Sequence, residues 1–196
     1  DLSPPGYRRR PPELAVWMNG QRIDLEAWAR HFEQPEHPEQ VTLRFPLAPQ
    51  DAPAAARVLK ALDLYADKFR AIEEAAHRPY ARFPIRYEDH INALLPHLAA
   101  LRSHAEAVVL RGVCRLHLGQ TDAALEDFLL AERIADALRE EPILISHLVR
   151  CTLLRVSLQI VYEGLLSHQW DETQLTAIDR RLAAQNLLAE LSTALR

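Results

Sequence analysis

Glycine and cysteine are scarce in this sequence, and each scarcity argues against a class of fold. The 196 residues include 5 glycines, whereas alanine and leucine are abundant, which favours helices over a many-turned β fold. The 2 cysteines, Cys114 and Cys151, are too few for a disulfide framework. Both fall inside predicted helices that would hold them apart, so we expect buried, free thiols.

The sequence also lacks an excess of positive charge. Its formal net charge of -4 at pH 7 provides no general basic field for nucleic acid. The basic run at residues 8–10 is bracketed by prolines and is interpreted as part of a flexible tail. We therefore expect no nucleic-acid partner. No uncharged apolar run approaches the ~20 residues that cross a bilayer, so we expect no membrane span in this segment.

The motifs of common catalytic and metal sites are missing as well. The sequence has no glycine-rich phosphate loop and no nucleophile elbow. His90, His97 and His104 recur every seven residues, which is about 10 Å along a helix. One zinc ion needs ligands much closer together. We expect no metal site, no cofactor and no catalytic residues.

Composition divides the chain into three parts. Residues 1–12 contain 4 prolines and are interpreted as a linker. Residues 13–50 predict a small mixed α/β appendage, with a β-hairpin turning at Asn19 and Gly20 and a third strand at 41–45. Within it, Asp24 is predicted to cap a short helix. Residues 51–196 predict a helical domain.

Prolines, glycines and capping residues mark the helices of that domain. Pro96 is predicted to open a long helix that ends at Gly119. Residues 143–167 are apolar nearly all round, as expected of a buried central helix. Asp171 and Gln174 form a capping box for a last helix. The predicted fold class is mainly α, built of antiparallel helical hairpins in a repeat-like or bundle arrangement, with the small N-terminal β-hairpin appendage.

The segment "GVCRLHLGQTDAALEDFLLAERIAD" (112–136) resembles one hairpin of a tetratricopeptide repeat. The matching positions are Gly112, Gly119, Ala124, Phe128 and Ala131. Gly112 and Ala124 would let two helix backbones approach, and Phe128 would fill the wedge behind them. Arg111 and Arg115 stand where that family has apolar or aromatic residues, and no second copy follows. The resemblance implies one packed helix pair, since a solenoid needs about three units.

A second resemblance covers residues 77–195. "ARFPIRYEDHINALLPHLAALR", "GQTDAALEDFLLAERIADAL" and "EEPILISHLVRCTL" resemble the signature run of an uncharacterised family of bacterial proteins. Its members typically carry one N-terminal membrane anchor and then a helical domain outside the cytoplasm. The resemblance implies an anchor upstream of Asp1 and a periplasmic location. It implies no activity and no catalytic residues.

Polar residues interrupt the apolar helix at 143–167 along a narrow stripe. Buried polar groups need partners, so they either pair within the chain or form the floor of a groove that meets a ligand. Two residues of a neighbouring element are expected beside them. The candidate binding site comprises His147, Arg150, Arg155, Gln159, Glu163, Tyr87 and His97.

Acidic residues recur on one face of the preceding helix. Glu132, Asp136 and Glu140 lie four residues apart, a spacing that places them together on a helix. They predict either a docking ridge for a basic partner or a solvated face that Arg111 and Arg115 partly neutralise. Sequence alone leaves both possibilities open.

These observations favour a non-catalytic, helical-repeat-like domain that binds a protein partner, tethered to a membrane outside this segment. The alternative is a sensor that binds a small ligand or peptide around Arg155 and His147; an enzyme ranks third. An interaction domain predicts an exposed apolar patch or a large contact surface and no enclosed pocket. A sensor predicts a concave cavity of several hundred Å³ with convergent polar groups. An enzyme further predicts a strongly perturbed titratable pair in that cavity.

Overall fold

The computed structural model describes residues 21–33, 45–78, 80–86, 88 and 94–194. All regular structure in these residues is helical, which confirms the mainly α class. A short 3₁₀ helix, Asp63–Tyr65, joins the second and third α-helices. The α-helices are α1 Leu25–Glu33, α2 Ala54–Leu62, α3 Ala66–Ala76, α4 Pro96–His117, α5 Thr121–Asp136, α6 Leu144–Leu166, α7 Glu172–Ala183 and α8 Leu187–Ala194.

Helix α1 belongs to the predicted N-terminal appendage and packs against α2. Asp24 caps it as expected, because its Oδ1 accepts a hydrogen bond from the backbone N–H of Ala27 at 2.9 Å. Phe32 contacts Phe45, with ring centroids 4.8 Å apart. The predicted hairpin at residues 19 and 20 and the linker at 1–12 lie outside the described residues. So do 41–44 of the predicted third strand, whose last residue, Phe45, is not in a strand.

Helices α4, α5 and α6 pack on one another and form the centre of the molecule. Pro96 occupies the first turn of α4, where its missing N–H costs no helical hydrogen bond. Gly119 follows the end of α4 with a φ of 74°, a conformation that residues with a Cβ rarely adopt. The core residues these helices share include Val108, Val113, Phe128, Ala131, Leu153 and Ile160.

Gly112 lies where α4 meets both α5 and α6. A Cβ added to Gly112 would lie 2.9 Å from the Cβ of Asp127 and 3.2 Å from Cγ1 of Ile160. The nearest atoms at Gly112 therefore belong to Asp127 of α5 and Ile160 of α6, and not to Ala124, the partner that the sequence predicts. Ala124, one helical turn before Asp127, is fully buried.

Helix α6 is long and apolar enough to cross a membrane by length and composition, with a mean hydropathy of 1.4 in its most apolar window. Half of that window, 50%, is buried inside the structure, and a buried core helix meets the same criteria. The expectation that no segment reaches this length was therefore too strict, because it counted uncharged runs alone. In this structure α6 packs against α4, α5 and α8.

The C-terminal region differs from the single helix that its periodicity predicts. Helix α7 begins with the predicted capping box: the Gln174 N–H donates to Asp171 Oδ1 at 2.8 Å, and the Asp171 N–H to Gln174 Oε1 at 3.1 Å. The helix ends at Ala183, and α8 starts at Leu187 after a short break. This break lets α8 lie against α6, while α7 lies against α5.

Candidate functional site

Glu163, one of the predicted site residues, is the centre of a buried polar cluster. Its side chain is 1% exposed. Oε1 accepts from the Ile23 N–H and from Gln159 Nε2, each at 2.8 Å, and Oε2 contacts His117 Nε2 at 2.9 Å. Gln159 Nε2 also donates to the carbonyl of Gln21 at 2.8 Å. The Glu163 and Gln159 side chains therefore join α6 to the segment before α1 and to α4.

Arg150 is fully buried and reaches three elements of the C-terminal half. Its guanidinium donates to Gln185 Oε1 at 2.5 Å, to Asp136 Oδ1 at 3.1 Å and to the carboxylate of Glu190. These bonds connect α6 to α5, to α8 and to the break before α8. Asp136 and Glu190 also pair with Arg139, and Asp136 pairs with Arg181, so Arg150 is the buried cation of a larger network that stabilises the fold.

The acidic face of α5 is part of the same network. Glu132 is 0% exposed and accepts from Ser157 Oγ at 2.5 Å and from Gln185 Nε2 at 2.9 Å. Asp136 accepts from Arg181 Nη2 at 2.5 Å as well as from Arg150. Glu132 is therefore buried and unavailable to a docking partner, whereas Asp136 is 25% exposed and is paired with arginines of α6 and α7 rather than with Arg111 or Arg115.

His147 and His97 belong to two different local arrangements. His147 is 7% exposed, and its Nε2 lies 3.7 Å from Cys151 Sγ. His97 lies 3.1 Å from Glu141 Oε2 and stacks on Phe83, with ring centroids 4.2 Å apart. His97 is linked to α6 through Glu141, which also accepts a hydrogen bond from Ser146. Tyr87 lies outside the described residues.

A buried ion-pair cluster lies between α3, α4 and α5, and it contains the two arginines that were expected to neutralise part of the acidic helix. Asp127 is 1% exposed and binds Arg111 at 2.6 Å and Arg115 at 2.9 Å. Arg111 also binds Glu73 at 2.8 Å and lies over the ring of Phe69. The sequence signal was the presence of two arginines where the repeat family has apolar residues.

Burial raises the pKa of Asp127 to about 6, although Arg111 and Arg115 both oppose that shift. Burial alone would lower the pKa of the Arg111 guanidinium, but Asp127 and Glu73 outweigh it and raise that pKa. The Cys114 thiol has a raised pKa because it is buried and close to Glu163 and Asp127. A thiol of this kind is a poor nucleophile.

Among the described residues, no three or more His, Cys, Asp and Glu side chains are placed to hold a metal ion. His90 lies outside the described part of the chain, and α4 begins only at Pro96, so the three-histidine stripe is not one continuous helix there. Burial and the nearby Lys68 lower the pKa of His104, which favours its neutral form.

The solvent-facing side of α6 is apolar over most of its length. We call the following residues the α6 outer face: Leu144, Ile145, Leu148, Arg155, Leu158, Leu165 and Leu166. The six aliphatic side chains are between 39% and 53% exposed. Arg155 is also exposed and forms no ion pair or hydrogen bond with the described residues. Of the predicted site residues on α6, Arg155 is the one that points to solvent with its charge unpaired.

Comparison with protein-family models, with curated proteins and with solved structures found no match to this chain. Its function is therefore argued from the geometry of these surfaces.

Proposed function

We propose that this chain is a non-catalytic helical interaction domain, which binds a protein partner through the α6 outer face. The observation that carries the proposal is the run of exposed aliphatic side chains on one side of a helix. Leu148 is 53% exposed and Leu165 is 50% exposed. Exposed apolar side chains that share one side of a helix are typical of a protein-binding site.

The charge on this face defines the chemistry of the partner. Arg155 lies midway between Ile145 and Leu166, and aliphatic residues flank it on both sides. A partner helix with apolar side chains and one carboxylate opposite Arg155 would cover the leucines and pair the charge. A second copy of α6 packed antiparallel would instead bring two Arg155 side chains together, and their repulsion disfavours that pairing.

The resemblances of the sequence support the same role. A packed pair like α4 and α5 is the building unit of tetratricopeptide repeats, whose general function is to present surfaces to other proteins. The resemblance over residues 77–195 supports a domain held outside the cytoplasm by an upstream membrane anchor. Partner recognition at an envelope surface fits both.

The alternative function, a sensor of a small ligand or peptide around Arg155 and His147, has less support. Arg150, Gln159 and Glu163 use their polar atoms on partners within the chain. His147 is buried against Cys151. Of the predicted site residues on α6, Arg155 is the one that is available to a ligand. Because exposed leucines surround it, this position favours a protein partner over a small polar ligand.

Site-specific photo-crosslinking in the native host tests the proposal. A photoreactive residue replaces Leu148 or Leu158 in turn, and exposed Thr173 of α7 provides the matched control position. We expect one shared partner to be crosslinked from both α6 positions and to be absent at Thr173. The variant Arg155→Glu should reduce that product without changing the melting temperature. Equal crosslinking from Thr173, or full yield with Arg155→Glu, would show that another surface binds the partner.

A further inference from the structure

A second concave surface lies on a different part of the molecule. Helices α3, α4 and α5, residues 78 and 80–83, and Arg181 of α7 enclose a groove of about 1040 Å³ that is partly open to solvent. Its apolar lining includes Ala71, Ile72, Ala76, Phe83, Leu101 and Ile134. This volume slightly exceeds the range of about 300–1,000 Å³ that is usual for small-molecule pockets.

The charged residues of this groove are mainly basic. Six are cationic, Lys68, Arg78, Arg82, Arg133, Arg139 and Arg181, whereas Asp136 and Glu140 are acidic. Asp136 is already bound by Arg139, Arg150 and Arg181. The whole chain, by contrast, has a net charge of -4. Positive charge is therefore concentrated at this groove.

Three of these arginines are available to a ligand. Arg78, Arg82 and Arg133 are exposed, and none of them forms an ion pair or side-chain hydrogen bond with the described residues. Two other lining cations, Arg139 and Arg181, are by contrast paired with carboxylates, at 3.0 Å and 2.5 Å from Asp136. Arg78, Arg82 and Arg133 are therefore the arginines of the groove that an anionic ligand can pair with.

We propose that the groove binds an extended acidic peptide segment whose alternate side chains are apolar. The cations lie on α3, at residues 78 and 82, and on α5, so they face a ligand from several sides of the groove. A fatty acid has a single carboxylate and would form ion pairs with few of these cations, whereas a peptide with several carboxylates would form ion pairs with most of them. In an extended peptide alternate side chains point to opposite sides, so apolar residues would contact the lining while acidic residues reach the rim.

This proposal is independent of the proposed function, because the groove and the α6 outer face share no residue. The probe is a fluorescein-labelled peptide of alternating glutamate and leucine, about eight residues long. We expect saturable binding by fluorescence anisotropy that weakens as the salt concentration rises from about 0.05 to 0.5 M. A peptide of alternating glutamine and leucine should bind roughly tenfold more weakly or worse.

Two triple variants with the same change in net charge distinguish binding in the groove from attraction by the overall charge of the protein. The triple variant Arg78→Gln, Arg82→Gln, Arg133→Gln is expected to lose roughly tenfold or more in affinity. The matched control changes three exposed arginines outside the groove, Arg30→Gln, Arg102→Gln and Arg180→Gln, and should keep the affinity of the parent. Circular dichroism melting verifies that both variants fold. A similar loss in both would overturn the proposal, as would the absence of binding to the parent.

An NMR titration and a displacement assay with the parent protein test the proposal without any substitution. On titration with the glutamate–leucine peptide, NMR signals of Ala71, Phe83 and Ile134 should shift, and shifts confined to the α6 outer face would overturn the proposal. Palmitate or an oligothymidylate that displaces the labelled peptide at lower concentration than unlabelled peptide would identify a lipid or nucleic-acid site instead. Displacement by unlabelled peptide alone supports the acidic-peptide site.

Discussion

The indole of Trp170 lies directly on Gly164 of helix α6. A Cβ built on Gly164 would overlap the indole ring at Nε1 and Cε2. The same Nε1 donates a hydrogen bond to the carbonyl of Val161 at 3.1 Å, and Trp170 is 8% exposed. The chain after α6 therefore folds back onto the end of its own helix, and this return places α7 against α5.

Replacing Gly164 by alanine should destabilise the protein through this contact. The added methyl group would displace the indole and break its hydrogen bond to Val161, at a cost of about 1–3 kcal/mol in the free energy of unfolding. Denaturant unfolding followed by Trp fluorescence measures the change. The control is Leu165→Ala at the exposed next position, which should change stability by about 0.5 kcal/mol or less. Equal stability of the Gly164→Ala variant and the parent would contradict the contact.

Replacing Arg150 by methionine should be strongly destabilising. The substitution keeps much of the side-chain volume but removes a fully buried cation from Asp136 and Glu190, which keep only their pairs with Arg139 and Arg181, at a cost of about 3 kcal/mol. Thermal and denaturant unfolding measure the loss. Arg155→Met is the matched control on the same helix: because Arg155 is exposed and unpaired, its replacement should lie within about 0.5 kcal/mol of the parent. Similar stabilities for the two variants would show that the buried network contributes little.

The raised pKa of Asp127 predicts a specific pH dependence of stability. The folded protein binds a proton at Asp127 up to a pH of about 6, whereas the ordinary pKa of the group is 3.8. Between these values the folded state holds more protons than the unfolded chain, so the free energy of unfolding falls as pH rises. From about pH 5 to about pH 7, the parent should lose about 1 kcal/mol relative to Asp127→Asn.

Two measurements check this prediction. Denaturant unfolding of the parent and of Asp127→Asn at several pH values provides the difference, in which the contributions of other groups cancel. NMR titration of the Asp127 carboxyl carbon should show a midpoint near 6. A midpoint below about 4 would mean that Arg111 and Arg115 outweigh burial, and the stability difference would then rise with pH in the acid range.

The ion pair between Glu33 and Arg57 should hold α1 against α2. Both Glu33 oxygens accept from Arg57 at 2.7 Å, and this bond lowers the pKa of Glu33. The stabilisation is therefore present above the ordinary pKa of 4.5 and is lost as pH falls through the lowered value.

Glu33→Gln should increase hydrogen exchange in α1 at neutral pH. Glu26→Gln, which changes a carboxylate 64% exposed that binds the same arginine, should have a smaller effect. An equal effect of the two variants would contradict the assignment.

Local sequence chemistry predicted several helix ends correctly. Pro96, Gly119 and the pair Asp171 and Gln174 act on backbone groups within a few residues of themselves, so tertiary contacts are not needed to interpret them. The two long helices Pro96–His117 and Leu144–Leu166 were also predicted, because a helix that is buried on most sides has apolar residues nearly all round. Breaks were predicted less well: the last predicted helix divides at 184–186, where neither glycine nor proline occurs.

The polar residues of α6 could be located from the sequence, but the partners of their side chains could not. Periodicity placed Arg150, Arg155 and Glu163 on one helix and posed the choice between internal pairing and a ligand site. The structure pairs Arg150 with Glu190, 40 residues away, and Glu163 with the backbone of Ile23, 140 residues away. No local rule indicates such partners. Likewise, the arginines between aromatics at 78–86 are visible in the sequence, but the groove requires α3 and α5 beside them.

By itself, then, the sequence determined the helical class and the ends of the central helices, since both follow from composition and from backbone preferences over short distances. Tertiary structure alone decided which charges became buried pairs and which stayed open, because that depends on distant residues meeting in space. Asp127 is buried against arginines of α4, whereas Arg133, on the same helix, faces an open groove. The packing of α5 against α3, α4 and α6 makes that difference, and it places the two proposed binding surfaces on separate parts of the molecule.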